Sequence, residues 1–415
     1  MAQPFAVGID AASAARIREL AGRRVGFLDR VFTAAELVEC ANRPERLAAR
    51  WAAKEAVRKL AGSRGERLPA FREIEVTRAP GGAPQVTIAG QHRLGLKLSL
   101  THEGDLAIAV AVQMGGRAMA TSVPAMLRLP GRPDDGNKGT FGTAVVVAGG
   151  HGFSGAAYLS AMGAARGGAG LVRLCVPAGL LPILAVKCTE VMTHGLPDGG
   201  AGVLTAAAVP LLREQHLPHA AAVVLGPGIG RDPRTVEAVE QLLAEIPCPC
   251  VVDADGLNIG AALGLDWRGA GQPVVLTPHP GEMARLVGRD IVAVQADRRA
   301  VAERYAVERG VVVVLKGAET VVAAPDGRVH VGPARLVALA TGGSGDVLAG
   351  LCGALLSAGL PAFEAAVAAV TIHAEAGAAV QASRGRAGAL ASDLLEELPA
   401  AQERLRCALE GGEGG

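Results

Sequence analysis

Six apolar runs constrain the fold of this chain more than any other feature: TAVVVAGG, LVRLCVP, AAVVLGPG, CVVDADG, VVLTPHPGE and VVVVLKG, spread between Thr143 and Gly317. Each is nearly continuous rather than alternating, the pattern of strands buried on both faces. Ala/Leu-rich helical segments separate them, so the arrangement predicts a mainly parallel α/β sheet over residues 137–405. Almost every run ends in Gly, Pro, His or Asp, residue types that suit a site on loops beyond the carboxyl ends of the strands. Aromatics make up only 3% of the chain, so its cores must rest on Ala, Val and Leu.

Residues 1–114 read differently. AVGID predicts a strand, ASAARIREL a helix, and LAARWAAKEAVRKLAG a longer helix ending at Gly62. EIEVTRAPGGAPQVTIAG reads as a hairpin and LKLSLTHEGDLAIAVAVQ as two strands around a turn, giving a small α+β domain. Residues 115–136, rich in Gly, Pro and Arg, read as a linker partly packed on the next domain, and 406–415 as a flexible tail. The 415 residues suffice for two or three such domains.

Net charge is +1, which argues against nucleic acid or a membrane surface as the partner of the whole chain. Residues 1–114 nevertheless hold 17 Lys/Arg against 12 Asp/Glu, so this part is suited to an acidic partner. Seven scattered cysteines do not form a disulfide framework. Cys248-Pro-Cys250 has no second ligand pair and reads as a strand edge rather than a metal site. The N-terminus has no signal-peptide pattern, and no uninterrupted apolar run approaches the ~20 residues of a membrane span. A cytoplasmic protein is expected.

In the first domain Asp10 ends a strand, and Glu55 and Lys59 lie one turn apart on a helix. Two carboxylates from separate elements suit Mg²⁺, which takes oxygen ligands. Lys59 suits a base or a charge neutraliser. By spacing alone, a surface Glu–Lys pair explains the helix equally well. The blocks GID, FLDRVFTAAEL, RWAAKEAVRK and SLTHEGD occur in the order found in holo-acyl-carrier-protein synthases, which residues 5–112 resemble. The resemblance implies transfer of 4′-phosphopantetheine from coenzyme A to a carrier-protein serine. It implies Asp10 and Glu55 as Mg²⁺ ligands, Arg50, Lys54 and His102 near the coenzyme A phosphates, and Lys59 activating the serine. Arg16, Arg18, Arg23 and Arg24 would dock an acidic acyl carrier protein, and a homo-oligomer is expected. The chain departs from the family pattern in continuing GID with Ala11-Ala12-Ser13.

In the second domain TGGSGDVLAG places Gly342, Gly343 and Gly345 ahead of Asp346. A helix starting there would aim free N–H groups at an anion, with Asp346 placed to take a proton from an attacking hydroxyl. A plain helix-capping turn is the competing reading. NKGTFGTAVVVAGG, GFSGAAYLSAMGAARGGAGLV, LGPGIG, VDADGLN, LTPHPGEMARLVG, VLKGAETVVAAPDG and ALASDLLEELP accompany it. Together they resemble the ADP-dependent NAD(P)H-hydrate dehydratases, of ribokinase-like fold. The resemblance implies phosphorylation of the ring hydroxyl of hydrated NAD(P)H by ADP, followed by loss of phosphate. It makes Asp346 the base and Gly342, Gly343 and Gly345 the anion hole. Lys316, Gly317, Ala318, Glu319 and Thr320 would line the adenine nucleotide through backbone N–H groups. Ala156, Gly228 and His279 would line the hydrate. Asp253 and Asp255 are expected to organise strand-end loops, and His279 with Glu282 is not expected to bind metal. The chain departs from the family at Gly332–Leu336, where Arg335 and Leu336 replace a glycine and a polar residue, and at Ala378. A bifunctional enzyme is therefore expected. The alternative is an ATP-dependent small-molecule kinase of the same fold, with residues 1–114 a non-catalytic oligomerisation module.

Overall fold

The computed structural model describes residues 5–23, 26–41, 43–63, 67–79, 82–92, 96–114, 123–332 and 336–410. The chain divides into two compact units, Met1–Ala118 and Met119–Gly415. Arg24, Arg335, residues 115–122 of the expected linker and residues 411–415 of the expected tail lie outside the described residues.

The first unit opens with β1 (Phe5–Ser13) and α1 (Ala14–Arg23), then α2 (Phe27–Val31), α3 (Ala34–Cys40) and the long α4 (Pro44–Ser63). A hairpin of β2 (Ile74–Arg78) and β3 (Pro84–Ile88), extended by β4 (Gln91–His92), precedes β5 (Leu96–Glu103) and β6 (Leu106–Met114). The strands β1, β6 and β5 form an antiparallel sheet in that order. Alternate residues Ala6, Ala12, Ala107, Ala109 and Ala111 are buried, and α4 packs along β1 and β6. Gly8 makes that contact possible, because a Cβ there would lie 1.9 Å from the Ala56 carbonyl oxygen.

Lys54 is the internal brace of this unit. Its ammonium is fully buried and donates to the carbonyls of Val31 (2.9 Å), Phe71 (2.8 Å) and Ile74 (2.6 Å), and it pairs with Glu36 at 2.6 Å. Glu36 also accepts the N–H groups of Thr33 and Val76. One ion pair thus fastens α2, α3, α4 and the start of β2.

The second unit carries a nine-stranded sheet. Its elements run β7 (Thr143–Val147), α5 (Ser154–Arg166), β8 (Leu171–Pro177), α6 (Leu181–Lys187), β9 (Met192–Leu196), α7 (Ala208–Leu211), β10 (Ala222–Leu225), α8 (Pro233–Glu245), β11 (Cys250–Val252), α9 (Asp255–Leu263), β12 (Val274–Leu276), α10 (Pro280–Val287), α11 (Ile291–Ala296), α12 (Arg298–Arg309), β13 (Val312–Leu315), β14 (Val321–Ala323), β15 (Val329–Val331), α13 (Ser344–Ser357), α14 (Ala362–Arg384) and α15 (Ala391–Glu410). Spatial order is β15-β14-β13-β12-β11-β10-β7-β8-β9, parallel from β13 to β9, with β14 and β15 antiparallel. The six strands read from the sequence are present. Strand β9 (MTHGL) is too polar to stand out, and the short β14–β15 hairpin lacks a long apolar run.

Successive strand residues point to opposite faces. Val146, Val224, Val251 and Val275 enter the core beneath α5, α13, α14 and α15, while Val147, Leu225, Val252 and Leu276 enter the core beneath α8, α9, α10 and α12. Within residues 123–136, Leu127 is fully buried in the first of these cores. The expected tail needs correction, since Arg406–Glu410 continue α15 and Arg406 donates to the Pro130 carbonyl. The apolar helix α14 is long enough to cross a membrane by length and composition, but 89% of its most apolar window is buried in this core.

Replacing Lys54 by Met leaves Glu36 buried without its counter-charge, which costs about 3–5 kcal/mol. The expected result is a sharply lower urea midpoint for Lys54→Met, with much of the loss recovered in Glu36→Gln/Lys54→Met. An unchanged midpoint would contradict the bracing role.

Candidate active sites

Strand order in the second unit reverses between β7 and β10, the place where open α/β sheets bind ligands. The loops following these strands touch: Gly149 donates to the Pro227 carbonyl at 2.8 Å, and a Cβ on Gly150 would lie 3.1 Å from the Gly228 oxygen. Ala156, at the start of α5, lies against Gly228, where a Cβ would come within 2.8 Å of the Ala156 methyl. Two of the three expected hydrate-lining residues, Ala156 and Gly228, are therefore neighbours at the switch point.

Charged groups collect at the ends of the next strands. Asp253 follows β11 and is 1% exposed. Its Oδ1 receives the Lys316 ammonium at 2.7 Å and the Thr277 hydroxyl at 2.7 Å, joining the ends of β11, β12 and β13. Between Asp253 and Asp255, Ala254 adopts φ +51°, a strained value for a residue with a side chain. Asp255 accepts the Gly230 N–H at 3.0 Å and so orders the switch-point loop.

Helix α13 brings in the glycine loop. Gly343 is its N-cap at φ +89°, a position closed to larger residues because a Cβ would strike Leu159 at 2.4 Å. Among the described residues, the N–H groups of Gly342, Gly343, Gly345 and Asp346 make no hydrogen bond, leaving a cradle for an anion. Asp346 sits in the first turn, where burial and then the negative charge of Asp253 raise its carboxyl to about 7 against the opposing pull of Lys316. Glu282, in the first turn of α10, is likewise pushed up to about 7, first by burial. A Cβ on Gly345 would lie 3.2 Å from the Lys316 ammonium, which places the lysine beside the cradle. Burial opposes the Lys316 charge, but Asp253, Glu282 and Asp346 together hold its pKa above the ordinary value.

The Lys316 side chain turns into the acid cluster beside the cradle, and its backbone N–H, one of the donors expected for a nucleotide, is taken by the Pro278 carbonyl at 2.8 Å. The other expected backbone donors are those of Gly317, Ala318, Glu319 and Thr320. His279 is the N-cap of α10: its Nδ1 accepts from Gly281 (3.0 Å) and Glu282 (3.3 Å), while Nε2 lies 3.3 Å from Glu282 Oε1. Its ring is half-exposed, so contact with a ligand falls to the ring face and edge. Sequence reasoning gives Asp253 only a loop-organising role and Glu282 none; their places directly after β11 and in the first turn of α10 are the available signal. The buried His373 lies next to the Ser344 backbone, and burial depresses its pKa to about 4.

The first unit gathers Asp10, Glu55 and Lys59. Lys59 Nζ donates to Asp10 Oδ1 at 2.7 Å and to the Ile9 carbonyl at 3.1 Å. The hydrogen bond to Asp10, its charge and that of Glu55 raise the lysine pKa, so Lys59 is held as a cation while it is paired with Asp10. His102 pairs in register with Ala107 and shares the sheet face of Asp10. Arg50 and Lys54 do not join them. Arg50 is 5% exposed with its guanidinium on Glu39 at 2.7 Å, and Lys54 is the buried brace, so neither reaches a coenzyme A phosphate. On α4 their positions fall on the inward face, which the WxxKExxxK spacing does not by itself reveal.

Comparison with known proteins matches residues 144–400 to the NAD(P)H-hydrate dehydratase family model and residues 6–111 to the 4′-phosphopantetheinyl transferase superfamily. The bifunctional NAD(P)H-hydrate repair enzyme of Moorella thermoacetica is 44% identical over 70% of this chain and 54% of its own length. The chain spans about half the length of the bifunctional relatives it matches. The ADP-dependent (S)-NAD(P)H-hydrate dehydratase of Neisseria meningitidis is 36% identical over 71% of this chain and 96% of its own length. The crystal structure of the Bacillus subtilis ADP/ATP-dependent NAD(P)H-hydrate dehydratase, co-crystallised with ATP and Mg²⁺, is 30% identical, with a TM-score of 0.58 over 67% of this chain and 94% of that one. On this evidence the chain belongs to the NAD(P)H-hydrate dehydratase family and carries, ahead of that region, a domain of the 4′-phosphopantetheinyl transferase superfamily.

Proposed function

We propose that the second unit restores hydrated NAD(P)H to NAD(P)H with ADP as phosphoryl donor. The observation that carries this reading is Asp346, held near neutrality beside a cradle of unpaired N–H groups and the Lys316 ammonium. Asp346 takes the proton of the ring hydroxyl as its oxygen attacks the terminal phosphorus of ADP, and AMP leaves. The cradle and Lys316 bind the oxygens on which negative charge grows. The carbon–oxygen bond then breaks, and phosphate leaves with the electron pair. The adjacent ring carbon loses a proton, and the dihydronicotinamide double bond is restored. Phosphorylation serves a physical purpose, since phosphate is a far better leaving group than hydroxide.

For the first unit we propose transfer of 4′-phosphopantetheine from coenzyme A to a carrier-protein serine. Asp10 and Glu55 fit Mg²⁺ as hard oxygen donors, and the pair already attracts a cation, since the Lys59 ammonium sits on Asp10 in the field of Glu55. Bound there, Mg²⁺ would offset charge on the pyrophosphate during transfer. Lys59 then neutralises developing charge rather than removing a proton. Arg18 and Arg23 on α1 are 65% and 77% exposed at the side chain and, with Arg16, suit an acidic carrier protein. The outward face of the β1–β6–β5 sheet exposes Val7, Ile9 and Leu106, which supports a homo-oligomer.

Recovery of absorbance at 340 nm from hydrated NADH tests the first proposal. It is expected with ADP and should fall about 10²–10⁴-fold in Asp346→Asn. A variant that kept its rate would remove Asp346 as the base. The wild-type rate should rise with pH through about 7, because the base must be ionised. Stability carries the opposite sign: Asp346 binds its proton more tightly folded than unfolded, so the wild type should lose stability relative to Asp346→Asn from about pH 4 to pH 7. Equal pH dependence of the two melting temperatures would contradict the buried acid. For the first unit, Asp10→Asn should abolish Mg²⁺-dependent modification of an apo carrier protein by coenzyme A, and retained activity would exclude Asp10 as a ligand.

A further inference from the structure

The turn that joins β13 to the antiparallel β14 runs from Lys316 to Thr320, and its middle residues Gly317, Ala318 and Glu319 are exposed. A side chain from outside the turn holds its shape. Arg298, the first residue of α12, is half-buried against it. Its Nη2 donates to the Leu315 carbonyl at 2.9 Å and to the Glu319 carbonyl at 3.0 Å. Its Nη1 donates to the Gln295 side chain at 2.6 Å, near the end of α11. The guanidinium thus ties both ends of the turn to the α11–α12 junction.

These bonds decide which way the peptides of the turn face. Across a trans peptide bond the carbonyl and the N–H point in opposite directions. The Glu319 carbonyl lies on Arg298, so the Thr320 N–H faces away from the guanidinium. The Leu315 carbonyl does the same for the Lys316 N–H, which meets the Pro278 carbonyl. Among the described residues the N–H groups of Gly317, Ala318, Glu319 and Thr320 make no hydrogen bond. The arginine therefore uses up acceptors of the turn and leaves its donors free.

Gly317 belongs to the same device. A Cβ there would lie 2.5 Å from Nη2 and 2.8 Å from the guanidinium carbon, so a methyl group would drive Arg298 off its acceptors. Stability alone explains the arrangement poorly. The Nε of Arg298 is buried and unpaired, and an unsatisfied buried donor destabilises a fold. Burial also pulls the guanidinium pKa down.

We propose that Arg298 is a positioning residue for the phosphoryl donor: it sets the Lys316–Thr320 turn so that the free N–H groups meet the donor nucleotide, without touching the nucleotide itself. The inference rests on the dehydratase reading of the second unit. A planar guanidinium suits the task because it holds its acceptors in fixed directions, which a lysine ammonium does not.

The test measures rates on hydrated NADH over a range of ADP in wild type, Arg298→Lys, Arg298→Ala, Gly317→Ala and the Arg298→Ala/Gly317→Ala double variant. KM for ADP is expected to rise about tenfold in Arg298→Ala and less in Arg298→Lys, with kcat and KM for hydrated NADH within about twofold of wild type. Gly317→Ala should raise KM for ADP by itself and add little once Arg298 is gone, because the guanidinium it displaces is absent. A fall in kcat with KM for ADP unchanged would mark a general structural role and overturn the proposal. So would equal rises in KM for both substrates, or a Gly317→Ala effect of the same size in both backgrounds. Should Arg298→Ala fail to fold, Arg298→Lys and Gly317→Ala carry the same comparison of the two KM values. If the wild type shows no turnover, the dehydratase reading has failed. Equilibrium binding of ADP then decides the role of Arg298, an approximately tenfold loss of affinity in Arg298→Ala supporting it and equal affinity overturning it.

Discussion

The ion pair between Lys316 and Asp253 is the interaction on which the larger unit's chemistry depends. It is formed by residues 63 apart in sequence that end two different strands, and Thr277 on the strand between them donates to the same oxygen. Because it is buried, its charges act at short range with little screening. Burial does most to push the Asp346 carboxyl up, Asp253 adds to it and Lys316 pulls it down, so the pair trims a proton affinity that burial raises. The lysine also places a positive charge beside the glycine loop, where the phosphoryl group is proposed to bind.

The smaller unit uses a related arrangement at its surface. There Lys59 on α4 bridges to Asp10, which lies within β1 rather than at its end as expected, again where a phosphate-bearing ligand is proposed. The two sites differ in solvent. Lys59 is about half exposed at the side chain and Lys316 mostly covered, so the first pair is open to exchange for a metal ion and the second is a fixed part of its site. The buried pair of the first unit, Lys54 with Glu36, shows the third use of the same chemistry, as a purely internal brace.

Much of this was legible in the sequence wherever the signal was local. Continuous Val-rich runs gave the central strands, and TGGSGD gave the start of α13 with Asp346 in its first turn. What escaped was set by contacts distant in sequence. Whether Lys54 faces a ligand or a carboxylate depends on Glu36 and on carbonyls from three other segments, none of which its own helix specifies. The direction of Lys316 depends on Asp253 in the same way. Strand β9 was missed because MTHGL lacks an apolar run; it is held at the sheet edge by parallel pairing with β8.

The most direct test of the account is the pH dependence of ADP-driven NADH recovery in Asp253→Asn beside the wild type. Asparagine can keep the Thr277 hydrogen bond but removes the charge that raises Asp346 and frees Lys316 to pair with it. The account predicts an active variant whose rate midpoint moves from about 7 to clearly lower pH. A midpoint that stays in place, or moves up, would contradict the claim that the Asp253 charge adds to burial in raising the proton affinity of Asp346.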